Sequence, residues 1–210
     1  MKRLVLSLVA AALLTGPAMA DTITQWTFEV SVPTHAGPHA AEIGSGEALG
    51  FHSDPNTVYS NPVGNGSLES FSSNTWNAGD YYQFKTSTLG YENITFQFDQ
   101  TRSSTGPGVF DVEWSTDGTT WANLVDDYAV TVVTWSSLTY NPASTFGPYA
   151  APAALDDQPV VYFRLIAQVA GSAPAGTNRV DDVIVGGSVI PEPASLILLT
   201  LGGLGLLRRR

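Results

Sequence analysis

Residues 91–99 read Tyr-Glu-Asn-Ile-Thr-Phe-Gln-Phe-Asp, and this run decides the fold. Ile94, Phe96 and Phe98 alternate with Asn93, Thr95 and Gln97. Side chains along a strand point to opposite faces with period two, so the run has one apolar face and one wet face. Residues 109–115 (VFDVEWS) repeat the pattern, with Phe110, Val112 and Trp114 opposite Asp111 and Glu113. Trp114 is predicted to be buried. Working outward, residues 22–32 set Trp26, Phe28 and Val30 against Ile23, Gln25, Thr27 and Glu29. Further strand-like runs cover 68–72, 80–88, 121–125, 128–139, 159–170 and 178–185. Residues 33–66 are rich in Gly, Pro and His and read as a long loop with one short strand at Thr57-Val58-Tyr59. Eight to ten short, half-buried strands with no amphipathic helical stretch predict an all-β fold. Two antiparallel sheets packed face to face make a sandwich, and the jelly roll is its usual eight-strand form. Its aromatic side chains are the expected filling.

The two ends carry addresses instead of fold. Lys2-Arg3, the apolar run from Leu4 to Leu14, and Ala18-Met19-Ala20 have the three parts of a secretory signal peptide, with Ala18 and Ala20 flanking the cleavage site. At the other end stand Pro191-Glu192-Pro193, an apolar stretch from Ala194 to Leu207, and Arg208-Arg209-Arg210. Arginines beside a membrane segment stay on the cytoplasmic side, which places the body beyond the inner membrane. As a helix the apolar stretch reaches only about 21 Å, and a comfortable span takes roughly 20 residues. This suits a temporary anchor. The order of motif, apolar stretch and arginines resembles the PEP-CTERM sorting signal of Gram-negative bacteria. That resemblance implies an exosortase partner, transient residence in the inner membrane, and delivery to the outer surface or the extracellular matrix. The expected division is signal peptide 1–20, β-sandwich 21–188 and sorting signal 189–210, with the sandwich flanked by a signal helix and a membrane helix.

Once both signals are set aside, the body holds four cations (Lys85, Arg102, Arg164, Arg179) against eighteen acids, a net charge of −14. Nucleic-acid binding rests on neutralising phosphates, so nucleic acid is excluded as a partner. With no cysteine, disulfides and thiol chemistry are excluded too. No H-E-x-x-H, G-x-S-x-G or phosphate loop is present. The acid pairs Asp126-Asp127 and Asp156-Asp157 sit at turn-like positions and read as solvated turn acids. The body is thus expected to be non-catalytic.

Ser115-Thr116-Asp117-Gly118-Thr119-Thr120-Trp121 resembles the Asp-box hairpin of sialidases, shortened by one residue. Asp117 is expected to bind backbone amides, Gly118 to supply a positive φ, and Trp121 to pack back on the hairpin. The order of Asn61–Ser67, Ser70–Trp76, Gly79–Phe84, Gly106-Pro107, Tyr162–Leu165 and Arg179–Val183 resembles β-sandwich modules found in PEP-CTERM proteins and beside some secreted nucleases. Asp181-Asp182 on the last strand resembles the end of carbohydrate-binding jelly rolls, where an acid joins a first-strand Glu around calcium. The resemblance implies a structural calcium held by Glu29, Asp181 and Asp182. Neighbouring acids repel unless solvated or bridged, and calcium's six to eight oxygen ligands would bridge them. The alternatives are a solvated strand entrance and an Arg179–Asp181 pair. Between His35 and His39, Gly37-Pro38 forbids the regular helix that would present both to zinc.

Trp76 and Tyr81 flank Gly79-Asp80 and would offer a saccharide platform if exposed, or cap the core if not. The expected function is an exported, non-catalytic surface or matrix protein, with exopolysaccharide binding as the alternative and a small hydrolase behind it. Replacing Arg208, Arg209 and Arg210 with Glu removes the charge that orders the C-terminal signal. The precursor of that variant is expected to escape processing and normal localisation, read by fractionation and by the mass of the mature chain.

Overall fold

A computed structural model describes residues 20–190; the cleavage residue Ala18, both expected terminal helices, the 191–193 motif and the arginine tail lie outside the described residues. The chain forms twelve strands: β1 (Asp21–Trp26), β2 (His39–Ala40), β3 (Gly46–Phe51), β4 (Tyr59–Ser60), β5 (Phe71–Ser73), β6 (Tyr81–Thr86), β7 (Tyr91–Arg102), β8 (Val109–Ser115), β9 (Ala122–Ala129), β10 (Thr145–Ala150), β11 (Val161–Ala167) and β12 (Asn178–Val189). They make two antiparallel six-stranded sheets in a jelly-roll-type sandwich. One sheet runs β10-β7-β12-β5-β4, with β1 also on β12; the other runs β2-β3-β6-β11-β8-β9. β12 organises the first sheet. It pairs with β7 along one side, while β5 takes Asn178–Val180 and β1 takes residues 183–187 on the other.

Alternation supplies the core. Ile94, Phe96 and Phe98 of β7 are fully buried, as are Tyr82 and Phe84 of β6 and Phe163 and Leu165 of β11. Their rings meet between the sheets. Phe96 stacks on Phe163 at 4.4 Å and 3°. Trp26 meets Phe84 at 5.3 Å, and Phe71 meets Tyr82 at 4.9 Å. Among the described residues the longest helices are two single 3-10 turns, and none is long and apolar enough to cross a membrane.

Several local expectations need correction. The first strand stops at Trp26, and Phe28 takes φ 60°, which breaks the alternation and leaves Val30 83% exposed. The expected loop 33–66 contains β2 and β3. The β3 sequence GEALGF has weak strand propensity, but Ala48 and Gly50 face the core, and a side chain at Gly50 would collide with Tyr59 and press on Phe71. β10 was not expected. Of the run 128–139 only Tyr128 and Ala129 are strand; the rest crosses the outer side of the first sheet, with Trp135 buried against it. Trp114 faces the core from the end of β8 and is half-buried rather than buried.

The Phe96–Phe163 stack ties the centres of both sheets. Phe163→Ala is expected to cost about 3–5 kcal/mol, the usual range for deleting a buried ring, and to lower the urea midpoint with little change in slope.

Candidate functional site

The outward side chains of the second sheet form the candidate site. Period two fixes them: with Tyr82 and Phe84 inward, Tyr81, Gln83 and Lys85 point out. Strand register then sets three rows. The first runs Phe51, Tyr81, Ile166, Asp111; the second Leu49, Gln83, Arg164, Glu113, Asn123; the third Glu47, Lys85, Tyr162, Ser115. Phe51 is 47% exposed and stacks on Tyr81 at 5.0 Å and 18°.

Arg164 lies at the centre. Its Nε donates to Glu113, and its guanidinium lies 5.2 Å from the Tyr81 ring centre and 4.0 Å from that of Trp121. Trp121 meets Tyr162 edge-on at 6.3 Å. Aromatic rings thus run from Phe51 through Tyr81 and across Arg164 to Trp121 and Tyr162. Each cation–π contact holds a ring in place as well as the cation.

The hairpin after β8 delivers Trp121. Asp117 Oδ1 accepts from the amides of Thr119 and Thr120, both at 2.7 Å, and from Ser115 Oγ at 2.9 Å. These bonds hold the Asp117 carboxyl well below the usual carboxylate range. Gly118 has φ 71°, and a side chain there would press on Tyr162. The turn device is as expected, and Trp121 packs over Arg164 on the sheet face. Strand alternation carries no signal for this, because Trp121 lies just outside β9.

Tyr81 is in the aromatic row; Trp76 is not. Trp76 is 3% exposed, donates its indole N–H to Ser73 O at 2.9 Å, and packs edge-on against His52, Tyr82 and Phe110. Beside it lies a group that the sequence did not reveal. His52 Nε2 is 2.9 Å from Ser73 Oγ, and His52 Nδ1 is 3.2 Å from Asp80 Oδ2, close without being aligned as a hydrogen bond. Serine, histidine and aspartate stand in the order of a hydrolytic triad. Ser73 is fully buried, however, and its hydroxyl is engaged by Tyr82 at 2.7 Å. A substrate carbonyl has no route to that oxygen. Burial pushes the His52 imidazole below its ordinary pKa and favours its neutral form, while Asp80 opposes the shift.

Asp181 and Asp182 face different neighbours. Asp181 is buried and accepts from Asn65 N at 2.8 Å, Ser67 Oγ at 2.6 Å and Asp182 N at 2.8 Å. Asn65 also donates to Asp99 at 2.7 Å, and Thr145 donates to Asp99 at 2.6 Å. Gly64 passes so close that a side chain there would strike Ser67 and Asp181. Asp182 sits at a bulge with φ 45° and accepts from Gln25 at 3.1 Å. Burial raises its pKa, and the negative charges of Glu29 and Glu42 add to the rise. Glu29 accepts from Glu69 N, beyond the end of β1. Asp182 feels the charge of Glu29 while Asp181 turns to Asn65 and Ser67, and among the described residues no three His, Asp or Glu side chains form a metal-holding group. His39 turns its Nε2 to His35 O at 2.9 Å, so those two rings stack without forming a chelate.

Comparison with known proteins separates the address from the body. Residues 189–210 match the family model described as the PEP-CTERM protein-sorting motif. The chain is therefore a secreted protein with a C-terminal, membrane-anchored sorting signal of the kind exosortases process. No curated protein matches the chain. Among solved structures, the CBM22-1 xylan-binding domain from Paenibacillus barcinonensis superposes with a TM-score of 0.51 at 8% identity, covering 84% of this chain and 100% of that one. The K3 cleaved adhesin domain of Lys-gingipain from Porphyromonas gingivalis gives 0.47 at 16% identity, covering 79% and 99%. At such identity the first likeness shows a shared fold.

The buried acids generate a pH dependence. Burial pushes Asp99 up to about 6 and Asp181 up to about 7, against 3.8 for an unburied carboxyl, although their hydrogen bonds oppose the rise. The folded state thus holds protons that the unfolded chain has released. The stability they confer is complete below about pH 4 and is lost as pH rises to about 7. The urea midpoint of the parent is expected to fall between pH 5 and pH 8, and less steeply in Asp181→Asn and Asp99→Asn.

Proposed function

We propose that the exported body is a non-catalytic surface module that binds polysaccharide across the open face of its second sheet. The observation that carries this reading is the row Phe51, Tyr81, Arg164, Trp121 and Tyr162. Sugar rings present C–H faces that pack on aromatic rings, and their hydroxyls need planar donors and acceptors beside those rings. Arg164, Glu113, Gln83 and Asn123 supply them on the same face. The Arg164–Glu113 bond and the two cation–π contacts hold these groups in place before a ligand arrives, which lowers the ordering cost of binding. That a xylan-binding domain has the same fold supports the reading.

The sorting signal supports a surface location, and exopolysaccharide is the polymer such a module would meet there. The Ser73 hydroxyl is sealed in the core and supplies no accessible nucleophile to a hydrolase reading.

Affinity electrophoresis of the full chain in gels containing neutral polysaccharides tests the proposal. Trp121→Ala and Tyr81→Ala are each expected to weaken retention about tenfold or more, as central aromatic anchors do. Val30→Ala, on an exposed residue outside the second sheet, serves as the control and is expected to be neutral. Retention unchanged in both aromatic variants would refute the assignment of this face.

A further inference from the structure

The four cations of the body do not share one arrangement. Lys85 pairs with Glu47 at 3.3 Å, and Arg164 pairs with Glu113. Among the described residues Arg102 and Arg179 pair with no carboxylate, and both line one cleft at the first sheet, away from the aromatic face. The cleft has a volume of about 420 Å³, and its other walls include Ser60, Ser72, Thr134 and the exposed Val132.

In a body of eighteen acids, two unpaired arginines in one cleft call for a physical reason. Arg102 is anchored by its neighbours: its Nε donates to Val130 O at 2.8 Å and its Nη1 to Gly106 O at 3.1 Å. It contributes positive charge at a fixed position. Arg179 is different. Its Nη1 donates to Val63 O at 2.9 Å, and its guanidinium rests 4.9 Å from the Trp135 ring centre. A guanidinium carries five N–H donors in a planar fork, so most of its capacity is left unused. Partial burial strips water from it and lowers its pKa. Asp181 lies near enough to oppose that shift, but its oxygens are already engaged by Asn65 N, Ser67 Oγ and Asp182 N and make no ion pair with Arg179. An exogenous planar anion would complete the site. The many distant acids weigh little, since charges more than about 8 Å apart are largely screened at physiological salt. A volume within the roughly 300–1,000 Å³ of small-ligand sites, walled by hydroxyls as well as valines, suits a sugar that bears such an anion.

We propose that this cleft binds the carboxylate of a uronic-acid unit in an acidic polysaccharide, with Arg179 as the fork that receives it, Arg102 as the second positive charge, and the exposed Ser60 and Thr134 as partners for the sugar hydroxyls. The inference rests on the polysaccharide reading above and adds a second subsite, selective for charge, to the neutral aromatic face.

Isothermal titration of the full chain in detergent with trigalacturonate tests it, beside its methyl ester and a triglutamate peptide. Trigalacturonate is expected to bind, and the ester and the peptide to bind at least about tenfold more weakly, the worth of one charge-assisted contact set. Arg179→Gln should bring the same loss. Should Arg179→Gln misfold, Val132→Glu provides the second variant: Val132 is exposed, so the fold tolerates it, and the new carboxylate would occupy the arginines and exclude the ligand. Trp121→Ala should keep trigalacturonate binding while losing neutral polysaccharide. Absence of trigalacturonate binding, or equal binding by the ester or the peptide, would overturn the inference. So would Val132→Glu binding as the parent does. If Trp121→Ala alone abolished trigalacturonate binding, the acidic sugar would belong on the aromatic face, and the cleft assignment would fall while the polysaccharide reading stood.

Discussion

Aromatic rings meeting between two sheets hold this body together. It has no cysteine with which to cross-link them. Phe96 lies flat on Phe163, with Trp26 against Phe84 and Phe71 against Tyr82 as neighbouring contacts. Each pair joins one sheet to the other, so the rings also set how the sheets register. Offset and tilted aromatic contacts contribute beyond the area they bury, and a close-packed interior resists any shift of one sheet against the other.

The same constraint produces the candidate site. A strand cannot turn Tyr82 and Phe84 inward without turning Tyr81, Gln83 and Lys85 outward. What those outward residues meet then differs between the sheets. On the first sheet the outer side is covered: segments 61–70 and 130–144 cross it, Asn65 clamps Asp99 and Asp181, and Thr101 bonds to Thr131 O and Val133 O. On the second sheet the outer side stays open, and its aromatic groups are held by Arg164 and not by a covering loop. One sheet has its outer face covered by its own chain; the other leaves it open, which is the face proposed to bind polysaccharide.

Charge follows this division. The pairs Lys85–Glu47 and Arg164–Glu113 stand on the open face, where a neutral polymer would meet balanced groups. The unpaired arginines stand at the covered sheet, in the cleft the covering segments leave. Asp181, buried under the same segments, turns its oxygens to Asn65, Ser67 and the Asp182 amide and not to Arg179.

By itself the sequence determined the class of fold, because period-two alternation in residues 91–99 and 109–115 depends only on which side chains water excludes. It determined the address as well, since the ordered parts of residues 189–210 act through local hydrophobicity and charge. Local chemistry was enough for the Asp117-Gly118 turn. Tertiary structure alone decided the rest. GEALGF becomes a strand because Ala48 and Gly50 fit beneath neighbouring rings, a fact of packing and not of propensity. Trp76 is core and Trp121 is on the sheet surface, although both lie beside turns in the sequence, because position relative to the sheet faces settles exposure. Asp181 and Asp182 part company at a bulge that no alternation rule foretells. His52, Ser73 and Asp80 meet through chain reversals, with the serine sealed inside. The aromatic row and the arginine cleft are likewise made of residues far apart in the chain. They become neighbours only through strand register, which is fixed by long-range pairing across the sheets.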